Sequence, residues 1–426
     1  MKNIFLITVL FLLFGCQTTT KLSNKNLSYV YLDEAITIDA DFKVYHASDT
    51  ASIIYCSIDP NGLLYSREDE KKGFTATFRM SYKLYPSFES KELLDSASET
   101  YTYAKSDQKK ELIKTLYFKA AKGKSYILEA SLFDVKRRQY SKAFISVVKE
   151  DFHTSQSYLI RPKEKNEISF TNVLNESGLI DIVFANKSAS NMQMKFYGRE
   201  FPIAKPPFSL QERTALAWWN FDKWVNNNAD SIVSLSVEKI KSEGVQIKSR
   251  GVYFFQTDTA LKTGLAVFRF EDGYPNITKI EQMLKPLRYI TTKQEYSEMS
   301  VMENKKDAID NFWLKITGNP DRGKSIIKKY YSRVQSANKH FASYIDGWKT
   351  DRGMIYIVYG PPDVVYRGCA MESWTYGEEG NLISLNFTFL KTPNPISDND
   401  FVLDRSPIYK NSWYLAVDAW RQGIIY

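Results

Sequence analysis

Gly347-Trp348-Lys349-Thr350-Asp351-Arg352-Gly353, then Met354-Ile355-Tyr356-Ile357-Val358-Tyr359, then Gly360-Pro361-Pro362-Asp363: this stretch decides how the last third of the 426-residue chain is read. The six apolar residues from Met354 to Tyr359 predict a strand buried on both faces or nearly so. Gly360, Pro361 and Pro362 stop that strand, because proline fixes φ and has no N–H to donate to a ladder. Ahead of it, Gly347 fits a helix end that turns with positive φ. Thr350 and Asp351 can accept from backbone amides in a tight turn. Arg352 can pair with Asp351 or Asp363, and Trp348 can cover the end of a sheet. Each of these residues has a structural duty available to it.

Upstream, Ala308, Ile309, Phe312, Trp313 and Ile316 recur at helical spacing, and Gly318-Asn319-Pro320 ends that helix. Ile327, Tyr330, Tyr331, Val334, Asn338, Phe341 and Ile345 form a second stripe at three- and four-residue steps. Downstream, Trp374-Thr375-Tyr376 and the segment from Leu382 to Phe389 flank Gly377-Glu378-Glu379-Gly380, a hairpin signal. The order helix, helix, strand, hairpin predicts a small α+β layer domain.

These residues resemble the GWxTD domain of lipoproteins and other exported proteins of Bacteroidota and some other bacteria. The resemblance rests on Gly347, Trp348, Thr350, Asp351, Arg352 and Gly353, and on Tyr359, Gly360, Pro361, Pro362 and Asp363. Phe312-Trp313, Tyr330-Tyr331, Arg333-Val334, Ala337-Asn338 and Phe341 fit the family's helices, and Glu372-Ser373-Trp374-Thr375-Tyr376 fits its Glu-x-Trp-x-Tyr strand. Met354 stands where many relatives carry a basic residue. The resemblance covers about residues 300–395 and brings no reaction with it, so the motif has to be read from its physics. The helix pair and the Gly-Pro strand end are also similar, at the level of fold only, to a small lipoprotein subunit of the β-barrel assembly machine.

Ahead of this region the period is two. Residues 36–44 and 74–84 alternate apolar and polar, and 126–132 do so less strictly, with turn signals at Asp59-Pro60-Asn61-Gly62, Lys71-Lys72-Gly73 and Lys122-Gly123-Lys124. More strand candidates follow at 167–170, 180–184, 192–196, 231–235 and 266–270, interrupted by a Pro-rich joint at 202–207. The expected architecture is β-rich and multidomain. Two β-sandwiches, immunoglobulin-like or macroglobulin-like, occupy 28–150 and 151–295, and the small α+β domain occupies 296–426. Trp218, Trp219 and Trp224 form a cluster that is either a ligand platform or partner surface, or part of a sandwich core with its covering loop. Aromatic residues make up 15% of the chain, which agrees with sheets, since aromatic side chains suit pleated, half-buried surfaces.

The first residues set the compartment. Lys2, an apolar run from Ile4 to Phe14, Gly15 and then Cys16 describe a secretory signal at 1–15 too short to span a bilayer. Leu13-Phe14-Gly15-Cys16 looks like a bacterial lipobox, with bulky Phe14 as a mild departure. That resemblance implies a lipid-bearing Cys16 followed by a tether over 16–27, and two or three acyl chains anchor stably. The formal charge of +8 raises nucleic acid as a partner, but export and the scattered placement of the 57 Lys and Arg favour lipid head groups instead. No acidic residue lies between Gln17 and Lys21, which favours the periplasmic face of the outer membrane over the cell surface.

The catalytic inventory is thin. His46, His153 and His340 fall in three different regions, so no metal site of several imidazoles is expected. No glycine loop for phosphates or dinucleotides occurs. Cys56 and Cys369 are read as two separate buried thiols, and a Cys369–His340 hydrolytic pair is the weakest alternative. With no catalytic residue, cofactor or metal expected, the leading expectation is a non-enzymatic scaffold or accessory subunit of an envelope machine for outer-membrane protein assembly or secretion. Its partners would be the membrane, through Cys16, and proteins of that complex. A glycan- or peptide-binding lipoprotein is the alternative.

Overall fold

The computed structural model describes residues 23, 25–32, 38–67, 73–105, 111–149, 153–165, 167–186, 188–210, 229–318 and 320–424. Cys16 and the signal segment, and Trp218, Trp219 and Trp224, lie outside the described residues.

Strict alternation builds the first sandwich. Strands β1 (Ala40–His46), β2 (Ala51–Ile58) and β5 (Leu112–Lys119) form one sheet in the order β1-β2-β5. Strands β3 (Thr75–Tyr85), β4 (Asp95–Ala104), β6 (Lys124–Asp134) and β7 (Gln139–Lys149) form the other, in the order β4-β3-β6-β7. Along β3, Ala76, Phe78, Met80, Tyr82 and Leu84 all face inward, as the period-two pattern requires. They meet Ile54 and Cys56 of β2 and Leu128 and Leu132 of β6 in one apolar core.

The second sandwich pairs the sheet β13-β10-β8 with the sheet β12-β11-β14-β15-β9. Its strands are β8 (Tyr158–Pro162), β9 (Val173–Leu174), β10 (Gly178–Phe184), β11 (Asn191–Tyr197), β12 (Ser231–Ser236), β13 (Val245–Ile247), β14 (Gly251–Gln256) and β15 (Leu265–Arg269). A short helix, α1 (Val237–Glu243), links β12 to β13. The candidate strand at 167–170 is irregular chain.

β14 and β15 are buried on both faces. Tyr253, Phe255, Leu265 and Val267 enter the sandwich core. Val252, Phe254, Ala266 and Phe268 turn the other way and pack with Tyr344, Ile345 and Ile396 of the C-terminal module. The second sandwich and the module therefore share a hydrophobic wall.

That module holds helices α2 (Ile280–Leu284), α3 (Lys293–Val301), α4 (Lys305–Thr317), α5 (Pro320–Phe341), α6 (Asp351–Tyr359) and α7 (Tyr409–Arg421). They surround an antiparallel sheet of β16 (Val364–Arg367), β17 (Met371–Tyr376), β18 (Leu385–Lys391) and β19 (Phe401–Leu403). The two predicted helices are α4 and α5, with Gly318 in the left-handed conformation (φ 61°) ending α4. The hairpin is β17–β18.

The run Met354 to Tyr359 corrects the sequence reading. It is the body of helix α6, not a strand. An apolar run buried all round has no period that separates helix from strand, and here the caps decide. Thr350 starts the helix, with its Oγ accepting from the Gly353 amide at 3.0 Å. Gly360, at φ 93°, ends it.

Residues 23 and 25–31, counted in the sequence as the end of a tether and the start of a sandwich, lie against the C-terminal module. The Leu27 amide donates to the Val365 carbonyl at 2.9 Å, and the Val365 amide donates to Asn26 Oδ1 at 3.0 Å. This strap covers the open edge of β16, and its Tyr31, 1% exposed, sits in the module core beside Phe341 and Trp374.

Candidate functional site

The Gly347–Asp363 motif lies where α5, α6 and the sheet converge. Gly347 does not adopt positive φ; it is needed for close approach. A Cβ there would lie 2.0 Å from the Ala337 carbonyl oxygen, and one on Gly353 would lie 1.9 Å from the Gly347 oxygen. The two glycines let the start of α6 cross the Gly347–Lys349 turn, and that turn cross the last turns of α5. Trp348 is buried against the ring of Tyr289, away from the sheet end expected for it. Its amide donates to Asn338 Oδ1 at 3.1 Å and its carbonyl accepts from the Tyr289 hydroxyl at 2.9 Å.

The charged residues pair differently from their sequence neighbours. Asp351 binds Arg405 through both carboxylate oxygens, at 2.5 and 2.9 Å, and accepts from the Leu403 amide at 2.8 Å. Arg352 pairs with neither Asp351 nor Asp363. Its guanidinium donates to Glu372 at 3.1 Å and to the Asn399 carbonyl at 3.0 Å, and lies 4.1 Å from the centre of the Phe401 ring. Asp363 is a turn residue whose carboxylate accepts from the Gly377 amide at 2.7 Å.

Glu372 is the hub. It is 1% exposed and takes hydrogen bonds from Tyr31 (2.5 Å), Trp374 Nε1 (2.6 Å) and Arg352, with Arg367 Nε 3.3 Å away. Burial disfavours its charge, but Arg367 and Arg352 overcome that and hold the carboxyl below the usual carboxylate range. Arg367 also donates to the Tyr31 hydroxyl, so the strap is bound to both members of this ion pair. The Tyr31 carbonyl accepts from the Tyr356 hydroxyl at 2.9 Å.

The far end of α6 is closed as thoroughly. Arg333 donates to the Ile357 carbonyl at 3.2 Å and Trp420 Nε1 donates to the Val358 carbonyl at 2.9 Å, so a cation sits at the helix C-terminus. The Gly360 carbonyl accepts from Tyr376, Tyr359 packs on Phe387, and Pro361-Pro362 lead the chain into β16.

Two open spaces adjoin this network. A cleft of about 420 Å³ separates the first sandwich from the module, with Phe88, Ile127 and Phe144 on one wall and Arg352, Arg367 and Cys369 on the other. A small cavity of about 100 Å³ is lined by Thr350, Asp351, Asp400 and Arg405 and bordered by Ile203 and Lys205. Burial pushes the Asp400 carboxyl up to about 6. The Pro-rich joint, which has no regular structure, runs along this cavity. The Ala204 amide donates to the Lys349 carbonyl at 2.8 Å, and Arg405 donates to the Lys205 carbonyl at 3.2 Å.

Other candidates disperse. Cys56 is fully buried in the first sandwich, whereas Cys369 is exposed in the module rather than buried, and both are free thiols. Partial burial, followed by Glu89, raises the Cys369 thiol, the opposite of an activated nucleophile. His46 bonds Ser52, His153 bonds Thr257, and His340 packs edge-on against Tyr31. Among the described residues no three of His, Cys, Asp and Glu gather to hold a metal. Tyr31, Arg367, Asn399 and Arg405 were not singled out by the sequence as partners of the motif. Their pairing spans up to 341 positions, and no local pattern announces it.

The GWxTD domain family matches residues 251–422, a longer span than the motif region alone. The match begins at β14, the first strand of the wall shared between sandwich and module. No curated protein matches the chain.

Proposed function

We propose, from the premise that this chain carries a GWxTD domain, that it is a lipid-anchored, non-enzymatic scaffold of a bacterial envelope complex. The anchor is Cys16 in the outer membrane, on its periplasmic face, and the complex serves outer-membrane protein assembly or secretion. One observation carries the reading: the motif's charged side chains are all engaged inside the protein. Asp351 is bound by Arg405, Arg352 by Glu372 and Asn399, and Asp363 by the Gly377 amide. Groups consumed in this way hold a shape and leave no free acid, base or nucleophile at the motif. The shape they hold gathers three distant parts of the chain, namely the strap, the Pro-rich joint and the shared wall.

Mild crosslinking in native membranes followed by affinity purification should recover the chain with outer-membrane proteins in a stoichiometric assembly. A strictly monomeric protein in native membranes would refute the scaffold reading.

The module's own packing supports a second reading, a peptide-binding lipoprotein. Residues 201–206 lie on it without regular structure and end in a turn at Pro207-Phe208, with Phe201 against Tyr344 and Phe208 against Tyr414. If foreign peptides use the same path, Ala204→Pro, which removes the amide that binds Lys349, should open the groove and increase capture of extended Pro-rich peptides. Unchanged capture would remove this reading.

A further inference from the structure

We infer that the module at the C-terminal end of the sequence is the part of the molecule held nearest the membrane, and that its strap edge faces the lipid head groups. The inference rests on the proposed lipid at Cys16. Read by sequence order alone, a chain anchored at its N-terminus places the first sandwich at the bilayer and the last domain farthest away. The strap reverses that order. Ser23 donates its amide to the Arg367 carbonyl and accepts from the Arg367 amide at 3.1 Å, so the chain is first fixed to β16 at Ser23, and again at Asn26 and Leu27. Tyr31 then pins it in the module core through Glu372 and Tyr356.

Cys16 and Ser23 are seven residues apart in sequence. Fully extended chain covers at most about 3.6 Å per residue, so the strap's first fixed point lies within about 25 Å of the lipidated residue. Without the strap the first fixed element would be β1 at Ala40, and the same arithmetic allows about 85 Å. The occupant of the strap edge is therefore the bilayer surface, selected by a short leash.

The protein supplies its own probe, because Cys369, two residues beyond Arg367, is exposed while Cys56 is fully buried. The opposite reference is Lys136, in the β6–β7 turn. It lies just past the end of β6, whose last residue Asp134 is seven residues along the strand from Ile127, which lines the cleft, or about 23 Å at 3.3 Å per residue. The experiment uses full-length acylated protein in phosphatidylcholine–phosphatidylglycerol vesicles containing a nickel-chelating lipid. A nitroxide sits on Cys369, or on Lys136→Cys in a Cys369→Ser background.

Nickel-induced relaxation should be stronger at position 369 than at 136, a comparison that needs no destabilised variant. In a Leu27→Asp, Tyr31→Ala strap variant the enhancement at 369 should fall to the level of position 136. Equal or reversed relaxation in the unaltered strap, with acylation of Cys16 confirmed by mass spectrometry, would overturn the inference and leave the anchor reading standing. A chain whose Cys16 carries no acyl group would overturn both.

Discussion

The first sandwich and the C-terminal module bury their side chains by opposite means. The sandwich's central cluster is an apolar core: Ile54, Phe78, Met80, Leu128 and Leu132 meet across two sheets, each contributed by its own strand's alternation, while the buried polar His46, Ser52 and Lys149 lie outside that cluster. The module interior is also apolar, but a charged cluster runs through it, with Glu372 between Arg352 and Arg367 and Asp351 against Arg405. An apolar core tolerates swaps that keep its volume, because no charge or hydrogen bond depends on any one side chain. A buried ionic cluster does not, because removing one partner strands the charge of another. The sandwich should therefore absorb substitutions gradually, and the module should fail at single positions.

The largest effect should come from Glu372→Ala. It strands two buried guanidinium groups and one tyrosine hydroxyl, and should cost the module about 3–5 kcal/mol. Amide exchange resolved by region would show the module and strap opening while β3 and β6 stay protected. Equal loss of protection in both regions would break the comparison.

Tyr31→Phe keeps the ring in its site and removes the hydroxyl that Glu372 and Arg367 share. About 1–3 kcal/mol should be lost, as for other hydrogen bonds to charged groups. Limited proteolysis should cut near residue 27 in the variant first. Unaltered cleavage would mean that the strap is held by backbone contacts alone.

Leu128→Met, in the apolar core, conserves volume and should cost less than about 1.5 kcal/mol by urea titration. A larger loss would show that the sandwich is as brittle as the module.

The smallest effect concerns Asp400. Its carboxyl is pushed up to about 6, so the folded protein binds a proton that the unfolded chain, near pH 4, has already released. This group's contribution is therefore favourable to folding at low pH, weakens as pH rises from about 4 to about 6, and is flat above that. Asp400→Asn should flatten that stretch of the stability profile and gain on the order of 1 kcal/mol at pH 7. A profile unchanged between pH 4 and 6 would show that Asp400 titrates normally.

The same contrast explains what the sequence made legible. Alternation placed β3 and β6, and the glycine turn placed the β17–β18 hairpin, because each signal is local. Helix α7 carries a stripe of Trp413, Ala416, Val417 and Trp420 at helical spacing, so its signal too is local. α6 has the sequence of a buried strand because it is buried from Asp351 to Val358 and only its caps mark it as a helix. Within the site, Gly347, Asp351 and Ala337 stand out in the sequence, but the close approach of Gly347 to Ala337 and the pairing of Asp351 with Arg405 do not. Arg352 was assigned to carboxylates nearby in sequence, while the carboxylate it binds, Glu372, arrives on a strand twenty residues later.

The strap also orders events in time. Tyr31 finds its site only among residues of α5, α6 and β17, more than 300 positions downstream. The earliest described part of the chain to be synthesised must therefore wait, unseated, for some of the last. Joining it to the start of α2 closes a loop of about 250 residues, an entropic cost of about 5 kcal/mol for a flexible chain. Folding each sandwich first shortens the flexible part of that loop, so the two β domains serve as the spacer that brings the beginning of the chain to its end.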